Sequence, residues 1–483
     1  MNYRMVFYTV GRVAVAIAAL LILPLAVSVY YKEDTFFSFL IAIAVSALTG
    51  VFCTVFLKPR RKVIGAREGF AIVALVWIVM SLLGALPFYI SGEIPSFIDA
   101  FFETVSGFTT TGASILTDVE AMSRSLLFWR SFTHWIGGMG VLVFIVALMP
   151  NIAERSIHIL RAEMTGPVVG KLVPKARQTA RILYIIYIAL TVVLIGFLLA
   201  GKMPLFDSLI TAFGTAGTGG FGIKADSMGS YSPYLQLVVT VFMLIFGINF
   251  NLFYLILLKK FSSVLKNNEL LTYVGIVFSA VAVITADVFI RVNGLTDFWG
   301  ALRQSSFHVS SIITTTGYAV SDFNLWPSLS KAVLLILMFI GGCAGSTAGG
   351  FKVSRAVILF KTVKNELKKM LYPRAVSVPK MDGREIEKET VSGVCAYLAI
   401  YIMLFIGIFL VISFEPFSFE TNFSAVAACF NNVGPGFGEV GPASSFAGYS
   451  SFSTFVLSVA MLFGRLEIIP LILFFSPRTW RKD

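Results

Sequence analysis

Four short runs rich in threonine, serine and glycine are the residues in this chain best suited to chemistry, and each lies between two long apolar stretches. They are Ser106-Gly107-Phe108-Thr109-Thr110-Thr111-Gly112, Thr215-Ala216-Gly217-Thr218-Gly219, Ile313-Thr314-Thr315-Thr316-Gly317 and Asn431-Asn432-Val433-Gly434. Non-helical backbone is tolerated at membrane depth only where it is buried in protein or lines a water-filled path. Because one pattern returns four times, the sequence predicts a single site built from all four runs.

The chemistry that such runs can perform is the binding of a dehydrated monovalent cation. Backbone carbonyl oxygens can replace the water shell of the ion, and glycine permits the backbone conformations that turn several carbonyls to one side. Threonine and serine hydroxyls can satisfy the backbone groups that are freed. The alternative is that small residues merely let helices pack closely in lipid. For one run that alternative is favoured; four runs, each between two spans, favour the ion site.

The stretch before each run is predicted to be a short helix that enters the membrane from outside. Asp99 and Asp207 lie in the first two stretches, where a carboxylate can cap a helix N-terminus and match its charge. Gln304 and Glu420 hold the comparable positions in the third and fourth. Each helix would direct its C-terminus, equivalent to about half a negative elementary charge, toward the ion.

The elements that must position these runs are membrane helices. The 483 residues are 57% hydrophobic and 13% charged, with a mean hydropathy of +0.85, which excludes a soluble globular chain. The apolar run 6–31 is too long for a signal-peptide core and is predicted to be a retained helix. Cys53, Cys343, Cys395 and Cys429 show no disulfide framework or metal spacing.

The apolar runs predict ten spanning segments, arranged as two leading helices and four repeats of the same orientation. The domains are residues 1–68, which hold the leading spans 6–31 and 35–57, and the repeats 69–155, 156–260, 261–370 and 371–483. The paired spans of the repeats are 69–90 with 125–150, 181–200 with 234–258, 270–290 with 328–360, and 391–414 with 451–475. Repeats of one orientation can surround a common axis, unlike the inverted halves of secondary transporters.

The formal net charge of +12 is placed as in a membrane protein, not as in a nucleic-acid-binding one. Most Lys and Arg fall on the side that holds the N-terminus, in segments such as 58–62 and 361–388. By the positive-inside rule that side is cytoplasmic, as are both termini. The opposite side carries Glu93, Asp99, Glu103, Asp118, Asp207, Asp226, Asp297, Asp322 and Glu420. These acids could concentrate cations at a mouth, although for any single one a role in capping or solvating a loop is an equal alternative.

The four runs resemble those of the TrkH/KtrB superfamily of prokaryotic potassium uptake proteins. The resemblance includes Phe132-Thr133-His134-Trp135-Ile136-Gly137-Gly138-Met139-Gly140 and Gly464-Arg465-Leu466-Glu467, and it covers essentially the whole chain. The two leading helices and the His-Trp-Ile-Gly-Gly-Met-Gly run favour the TrkH branch. The resemblance implies an all-α polytopic protein of the prokaryotic plasma membrane, with four helix–pore-loop–helix repeats in pseudo-fourfold symmetry around one potassium pore. It also implies a homodimer bound to a cytosolic TrkA-like regulatory ring, with nucleotide (ATP, ADP or NAD(H)) on that partner only.

The resemblance further implies that one glycine per run selects K⁺ through backbone carbonyls. These glycines map to Gly112, Gly219, Gly317 and Gly434. Gly220 stays open as the second, because its spacing from Asp207 equals that of Gly112 from Asp99. The expected filter comprises Thr110, Thr111, Gly112, Thr218, Gly219, Gly220, Thr315, Thr316, Gly317, Asn432, Val433 and Gly434. The fourth run departs most in composition, so the ring need not be chemically symmetric.

A glycine-rich stretch, 341–350, interrupts the second span of the third repeat. Five glycines in these residues, each costing about 1 kcal/mol in a helix interior, predict a loop at membrane depth. A tight helix crossing is the alternative. The resemblance implies that this loop, with Gly345, Ser346 and Thr347, is an intramembrane gate under the filter.

Arg465 lies within the last predicted span. Insertion of such a charge costs about 2.5 to 3.5 kcal/mol, so the side chain is predicted to face a polar interior. The resemblance implies that it forms part of the gate as a barrier to cations, and structural pairing or snorkelling is the alternative. Glu467, two positions on, points to another helix face and is not its expected partner.

Several other residues are given structural roles. His134 and His308 are expected to donate hydrogen bonds inside the bundle, and Arg124 and Arg130 to anchor the chain at the membrane interface. The basic segment 361–388 could dock the regulatory ring, and anionic lipid is an equal alternative. An enzyme is disfavoured because the spans hold no catalytic cluster of His, Cys or carboxylates. The main rival function is a secondary transporter that couples Na⁺ or H⁺ to K⁺.

Overall fold

The structure, a computed structural model, describes residues 1–59, 65–140, 176–292, 296–372 and 378–480, and these residues are predominantly helical. The helices are α1 Tyr3–Leu20, α2 Ile22–Tyr31, α3 Phe36–Phe56, α4 Ala66–Ile90, α5 Phe97–Phe108, α6 Arg124–Gly138, α7 Ala176–Ala200, α8 Leu205–Gly217, α9 Pro233–Phe246, α10 Phe250–Leu257, α11 Phe261–Leu265, α12 Asn268–Arg291, α13 Phe298–Ile313, α14 Ser328–Ile340, α15 Val353–Leu371, α16 Lys388–Ile412, α17 Phe419–Phe430, α18 Ser451–Arg465, α19 Ile469–Phe475 and α20 Pro477–Trp480. Short 3₁₀ turns cover Phe323–Leu325, Gly438–Val440 and Phe446–Gly448.

Two leading spans lie outside the repeated part. The first is made of α1 and α2, and the second is α3; α1 packs against both α3 and α4. The α1–α3 crossing is close because Gly11 and Gly50 face each other's helices and a β-carbon at either position would overlap the partner. Glu33 accepts a hydrogen bond from the Arg124 N–H at 2.7 Å, so the turn between these spans also holds the start of α6. The leading pair therefore braces the first repeat.

The repeated part has the predicted order of span, short helix and second span. The first spans are α4, α7, α12 and α16, and the short helices are α5, α8, α13 and α17. All four short helices are buried along most of their length toward the C-terminus. Among the described residues six helices are long and apolar enough to cross a membrane, or seven when α9 and α10 count as one bent span. The chain is therefore an all-α integral membrane protein.

The second spans of the second, third and fourth repeats are broken, and the sequence predicted only the break in the third. In the second repeat α9 and α10 meet at 90° around Gly247 to Asn249. In the fourth, α18 ends at Arg465 and α19 begins at Ile469, with Glu467 and Ile468 both at positive φ. The predicted spans 234–258 and 451–475 are therefore each divided into two helices, a feature that no glycine cluster marks in the sequence. In the first repeat α6 ends at Gly138, and residues 141–175, which include the rest of the predicted span 125–150, lie outside the described residues.

A small hairpin lies on the predicted cytoplasmic side, between α15 and α16. Strands β1 Lys380–Met381 and β2 Arg384–Glu385 pair antiparallel around Asp382 and Gly383, both at positive φ. This turn chemistry is typical of a tight hairpin. The Asp382 carboxylate accepts hydrogen bonds from Asn267 and Asn268 at the start of α12, so the hairpin is tied to the third repeat.

Candidate cation site

The four short helices end in the same turn. At each end one residue adopts the left-handed conformation: Thr110, Thr218, Thr315 and Asn432 have φ between 53° and 56°. The next residue donates its N–H to the carbonyl five residues back, at 2.9, 2.9, 2.7 and 2.8 Å in chain order. This is the Schellman arrangement, which normally uses glycine at the left-handed position. Three of the four residues here are β-branched, so the turns are strained, and strain of this kind concentrates at functional sites.

The glycines that follow these turns form a closed ring. Gly112, Gly220, Gly317 and Gly434 have φ of 81°, 75°, 83° and 103°. A β-carbon on any of them would overlap a carbonyl oxygen of the next repeat: that of Gly219, Thr316, Val433 and Thr111 respectively. The last contact, in which a β-carbon added to Gly434 would lie 2.7 Å from the Thr111 oxygen, returns to the first repeat. The four runs therefore meet around one axis, and only glycine fits at the contact points.

The contacts within the ring show whether Gly219 or Gly220 is the ring glycine of the second repeat. Gly220 has the positive φ and the carbonyl contact of the other ring glycines, whereas Gly219 holds the position of Thr111, Thr316 and Val433. In backbone register the second glycine is therefore Gly220, one position after the Gly219 mapped from the sequence. The expected spacing from Asp207 supports the same assignment.

Above the ring lies a cavity of about 340 Å³ whose lining includes all four ring glycines. The charged side chains in that lining are Arg130 and Lys224, and no carboxylate is among the described lining residues. The expected anionic mouth is thus not formed by the cavity wall itself. Arg130, expected at the membrane interface, is instead 3% exposed beside this cavity.

The outer acids bind backbone and side-chain groups instead of lining the cavity. Glu93 accepts a hydrogen bond from the Ser123 N–H at 3.0 Å, and Asp297 caps α13 by accepting from the Gly300 N–H at 2.8 Å. Asp207 accepts from the Tyr231 hydroxyl; burial, and then Asp207, raise the pKa of that hydroxyl. Asp99, Asp207 and Glu420 stand in the first turns of α5, α8 and α17, where they match the helix dipole. Among these acids Asp297 is a helix cap and the others bind a neighbouring group or match a helix dipole, and none of them lines the cavity.

The caps themselves differ from the sequence prediction. Ser96 and Ser418 cap α5 and α17, accepting hydrogen bonds from Asp99 and Thr421. In the third repeat the acid at the helix start is Asp297, and Gln304 lies within α13. Serine and aspartate are preferred caps because their oxygens accept the free N–H groups of the first turn.

The glycine-rich stretch 341–350 is a loop on the inner side of the ring. The Gly349 N–H donates to the Thr315 hydroxyl at 2.6 Å, and the Gly350 N–H donates to the Asn431 carbonyl at 3.0 Å. On the other side the Gly345 carbonyl accepts from the Phe250 N–H at 3.0 Å. The loop therefore contacts the turns that end the short helices of two repeats and the broken span of a third, and the packed-helix alternative is excluded.

Arg465 joins three repeats beneath the ring. Its guanidinium donates to the carbonyls of Gly137 and Gly138 at the end of α6, and to the Thr347 carbonyl of the loop at 2.8 Å. The side chain therefore faces a polar interior, as predicted, at the end of α18. Glu467 pairs with Arg355, and it lies in the break after α18, so the predicted helix-face argument does not apply to it. The Arg465 guanidinium thus places a fixed positive charge among backbone carbonyls on the inner side of the ring.

The roles of four charged residues in this region were missed from the sequence. Glu103 and Arg130 form a buried ion pair behind the first run. Lys352 is 3% exposed and donates from Nζ to the Ala348 carbonyl of the loop. Glu269, 4% exposed, accepts from the Ala344 N–H at 2.6 Å and the Ser354 N–H at 3.2 Å. A charged residue beside a glycine run or at a span end is the signal that could have found them.

Glu269 ties the loop to the first turn of α15, so its removal should destabilise the protein. Glu269→Ala would leave two buried N–H groups without an acceptor, each costing about 1–3 kcal/mol. We expect a lower midpoint of thermal unfolding in detergent than for the wild type. Glu366→Ala is the control, since Glu366 is a 55% exposed member of a surface pair, and equal midpoints for the two variants would contradict this role of Glu269.

The comparisons with known proteins agree with this architecture. Residues 34–482 match TrkH, a family described as cation transport protein. The chain is 35% identical over 464 residues to the Trk system potassium uptake protein TrkG of Escherichia coli K12, covering 95% of each chain. It is 34% identical over 497 residues to TrkH of the same strain, covering 100% of each. The crystal structure of the potassium transporter TrkH from Vibrio parahaemolyticus superimposes with a TM-score of 0.89, at 32% identity and full coverage of both chains.

Proposed function

The chain belongs to the TrkH family of cation transport proteins, and we propose that it takes up potassium ions through a channel-like pore in a prokaryotic plasma membrane. The observation that carries the proposal is the closed ring, in which each repeat places a carbonyl oxygen against the glycine of its neighbour. Relatives over the full length are named potassium uptake proteins, which supports K⁺ as the ion.

The selectivity filter is assigned to the ring and its flanking turns. Carbonyl oxygens from four repeats can replace the hydration shell of K⁺, and the four short helices add the negative ends of their dipoles at the same place. In this assignment Gly112, Gly220, Gly317 and Gly434 shape the filter. The carbonyls of the residues just before them face the ion path.

The gate is assigned to the loop 341–350 together with Arg465. The loop lies between the filter turns and the cytoplasmic helix α15, and Arg465 bonds its Thr347 carbonyl. A loop held by a few hydrogen bonds can move more readily than a continuous helix. Opening would then require release of two hydrogen bonds, the one that Arg465 donates to the Thr347 carbonyl and the one that the Gly349 N–H donates to the Thr315 hydroxyl.

A cytosolic regulatory ring with a bound nucleotide is the proposed partner, and a homodimer the proposed assembly. The cytoplasmic end of α15 supports such docking, because Phe360, Val363 and Leu367 are exposed beside Lys364 and Lys368. Since α15 begins directly after the loop, force on this helix would reach the gate. Anionic lipid is the alternative partner of this surface, and a pull-down of the regulatory ring with these lysines neutralised separates the two.

Cation flux into proteoliposomes tests the function. A channel should carry K⁺ down its electrochemical gradient, with the same reversal potential whether or not a gradient of Na⁺ or H⁺ is present. The rival function, Na⁺- or H⁺-coupled transport of K⁺, predicts a reversal potential that moves with the second gradient. A K⁺ flux no larger than the Na⁺ flux would contradict the assignment of the ring as a potassium filter.

A further inference from the structure

Three polar side chains on one face of α6 reach the backbone that leaves the second filter run. Arg130, Ser131 and His134 lie at helical spacing on α6, and all three contact Phe221 or Gly222, which directly follow the ring glycine Gly220. Arg130 donates to the Gly222 carbonyl at 3.1 Å and lies 3.6 Å from the Phe221 ring centre. A helix of the first repeat thus fixes the backbone that follows the ring glycine of the second repeat.

His134 connects the two repeats through both ring nitrogens. The Phe221 N–H donates to Nε2 at 3.3 Å, so Nδ1 carries the proton and donates to the Gly107 carbonyl at 2.7 Å. The ring also fills the space beside Gly219, where a β-carbon would overlap it. His134 is fully buried and sets the distance between α5 and the second run.

Glu103 links Arg130 to the backbone that follows the first run. It is 1% exposed, pairs with Arg130, and accepts hydrogen bonds from the Ser114 hydroxyl at 3.1 Å and the Ile115 N–H at 2.9 Å. Ser114 and Ile115 follow the ring glycine Gly112. One continuous set of polar contacts therefore runs from the backbone after Gly112 to the backbone after Gly220.

We propose that Glu103, Arg130 and His134, here called the filter brace, are positioning residues that set the ion discrimination of the ring by fixing its first two runs relative to each other. The proposal rests on the proposed function, since it assigns specificity within the same filter. The brace residues do not touch the ion; they act through the carbonyl positions of the two runs.

The physical reason is that discrimination between K⁺ and a smaller cation needs carbonyls that keep their distance and number. A run held on one side only can relax toward a smaller ion, whereas a run hydrogen-bonded from a neighbouring helix cannot. Arginine suits this position because its planar fork binds Glu103 and the Gly222 carbonyl at once, while the single ammonium of lysine cannot reproduce that geometry. Burial of both charges makes the pairing obligatory, because an unpaired buried charge is strongly unfavourable.

The test compares K⁺ and Na⁺ flux ratios in proteoliposomes for two brace variants. Arg130→Lys keeps both charges and loses the second arm to Gly222; Glu103→Gln combined with Arg130→Gln removes the pair without leaving a lone buried charge. We expect the K⁺ to Na⁺ ratio to fall about tenfold in each, equivalent to about 1.4 kcal/mol. The matched control combines Lys369→Gln with Glu366→Gln, an exposed ion pair on α15, and should keep the wild-type ratio.

The K⁺ to Na⁺ flux ratio does not depend on the amount of folded protein. A merely structural role would therefore lower both fluxes and leave their ratio unchanged. An unchanged ratio in Arg130→Lys, which retains both charges and the fold they support, overturns the brace even if the double variant is not recovered. If the wild type itself does not prefer K⁺, the proposed function fails. If the wild type prefers K⁺ and both brace variants keep the wild-type K⁺ to Na⁺ ratio, only the brace is wrong.

Discussion

Alanine at position 220 is expected to remove most of the potassium uptake of this protein. Gly220 has a φ of 75°, and a β-carbon there would overlap the Thr316 carbonyl oxygen of the next repeat. A side chain in such a conformation costs about 1–3 kcal/mol, and the overlap must be relieved by moving a ring carbonyl. If that cost falls on the conducting state alone, uptake falls roughly 5- to 150-fold.

The matched control for this variant is Gly222→Ala, two residues further along the same run. A β-carbon at Gly222 meets its nearest neighbours at 3.7 Å or more, and the residue does not have a positive φ. Its carbonyl, which Arg130 binds, is retained. Rubidium or potassium uptake into proteoliposomes should therefore be near wild type for Gly222→Ala. Equal uptake by the two variants would show that the ring at Gly220 does not limit conduction.

Arg465→Ala is expected to increase flux while leaving selectivity intact. The substitution removes a positive charge below the ring and releases the Thr347 carbonyl of the loop together with the Gly137 and Gly138 carbonyls. Loss of about 1.4 kcal/mol from the barrier would raise flux tenfold. The ring itself is untouched, so the K⁺ to Na⁺ ratio should stay at its wild-type value.

Arg291→Ala controls for the loss of an arginine, since Arg291 is 65% exposed on α12. Its flux should equal that of the wild type. Unchanged or lower flux for Arg465→Ala, at normal expression, would count against a barrier role and favour a structural one. Arg465→Lys keeps the charge with fewer donors, so a flux between those of wild type and Arg465→Ala would separate the contribution of charge from that of hydrogen bonding.

Much of the architecture was predictable because it depends on neighbours along the chain. The short helices end where predicted, since a helix end is decided by capping groups within a few residues, as in the turn at Thr110 and Gly112. The loop at 341–350 was predicted because five glycines are incompatible with a stable helix. The breaks at Gly247 and after Arg465 were not, since nothing local requires them there.

The functional details depend on contacts between distant parts of the chain. The sequence allowed both Gly219 and Gly220 as the second ring glycine, and the choice follows from which backbone meets Thr316. The sequence placed acids on the outer side, but their partners, such as Ser123 for Glu93, are known only from packing. Arg130 looked like an interfacial residue until its burial against Glu103 was apparent.

By itself, then, the amino-acid sequence determined that this is a membrane protein with four similar units, each carrying a short helix that ends in a polar, glycine-containing turn. Only the tertiary structure decided that the turns close into a ring, which carbonyl meets which glycine, and that Arg465 binds α6 and the loop together. The physical reason is range: helix formation, capping and hydropathy act over a few residues, whereas ring closure and buried charge pairing join residues that only packing brings together.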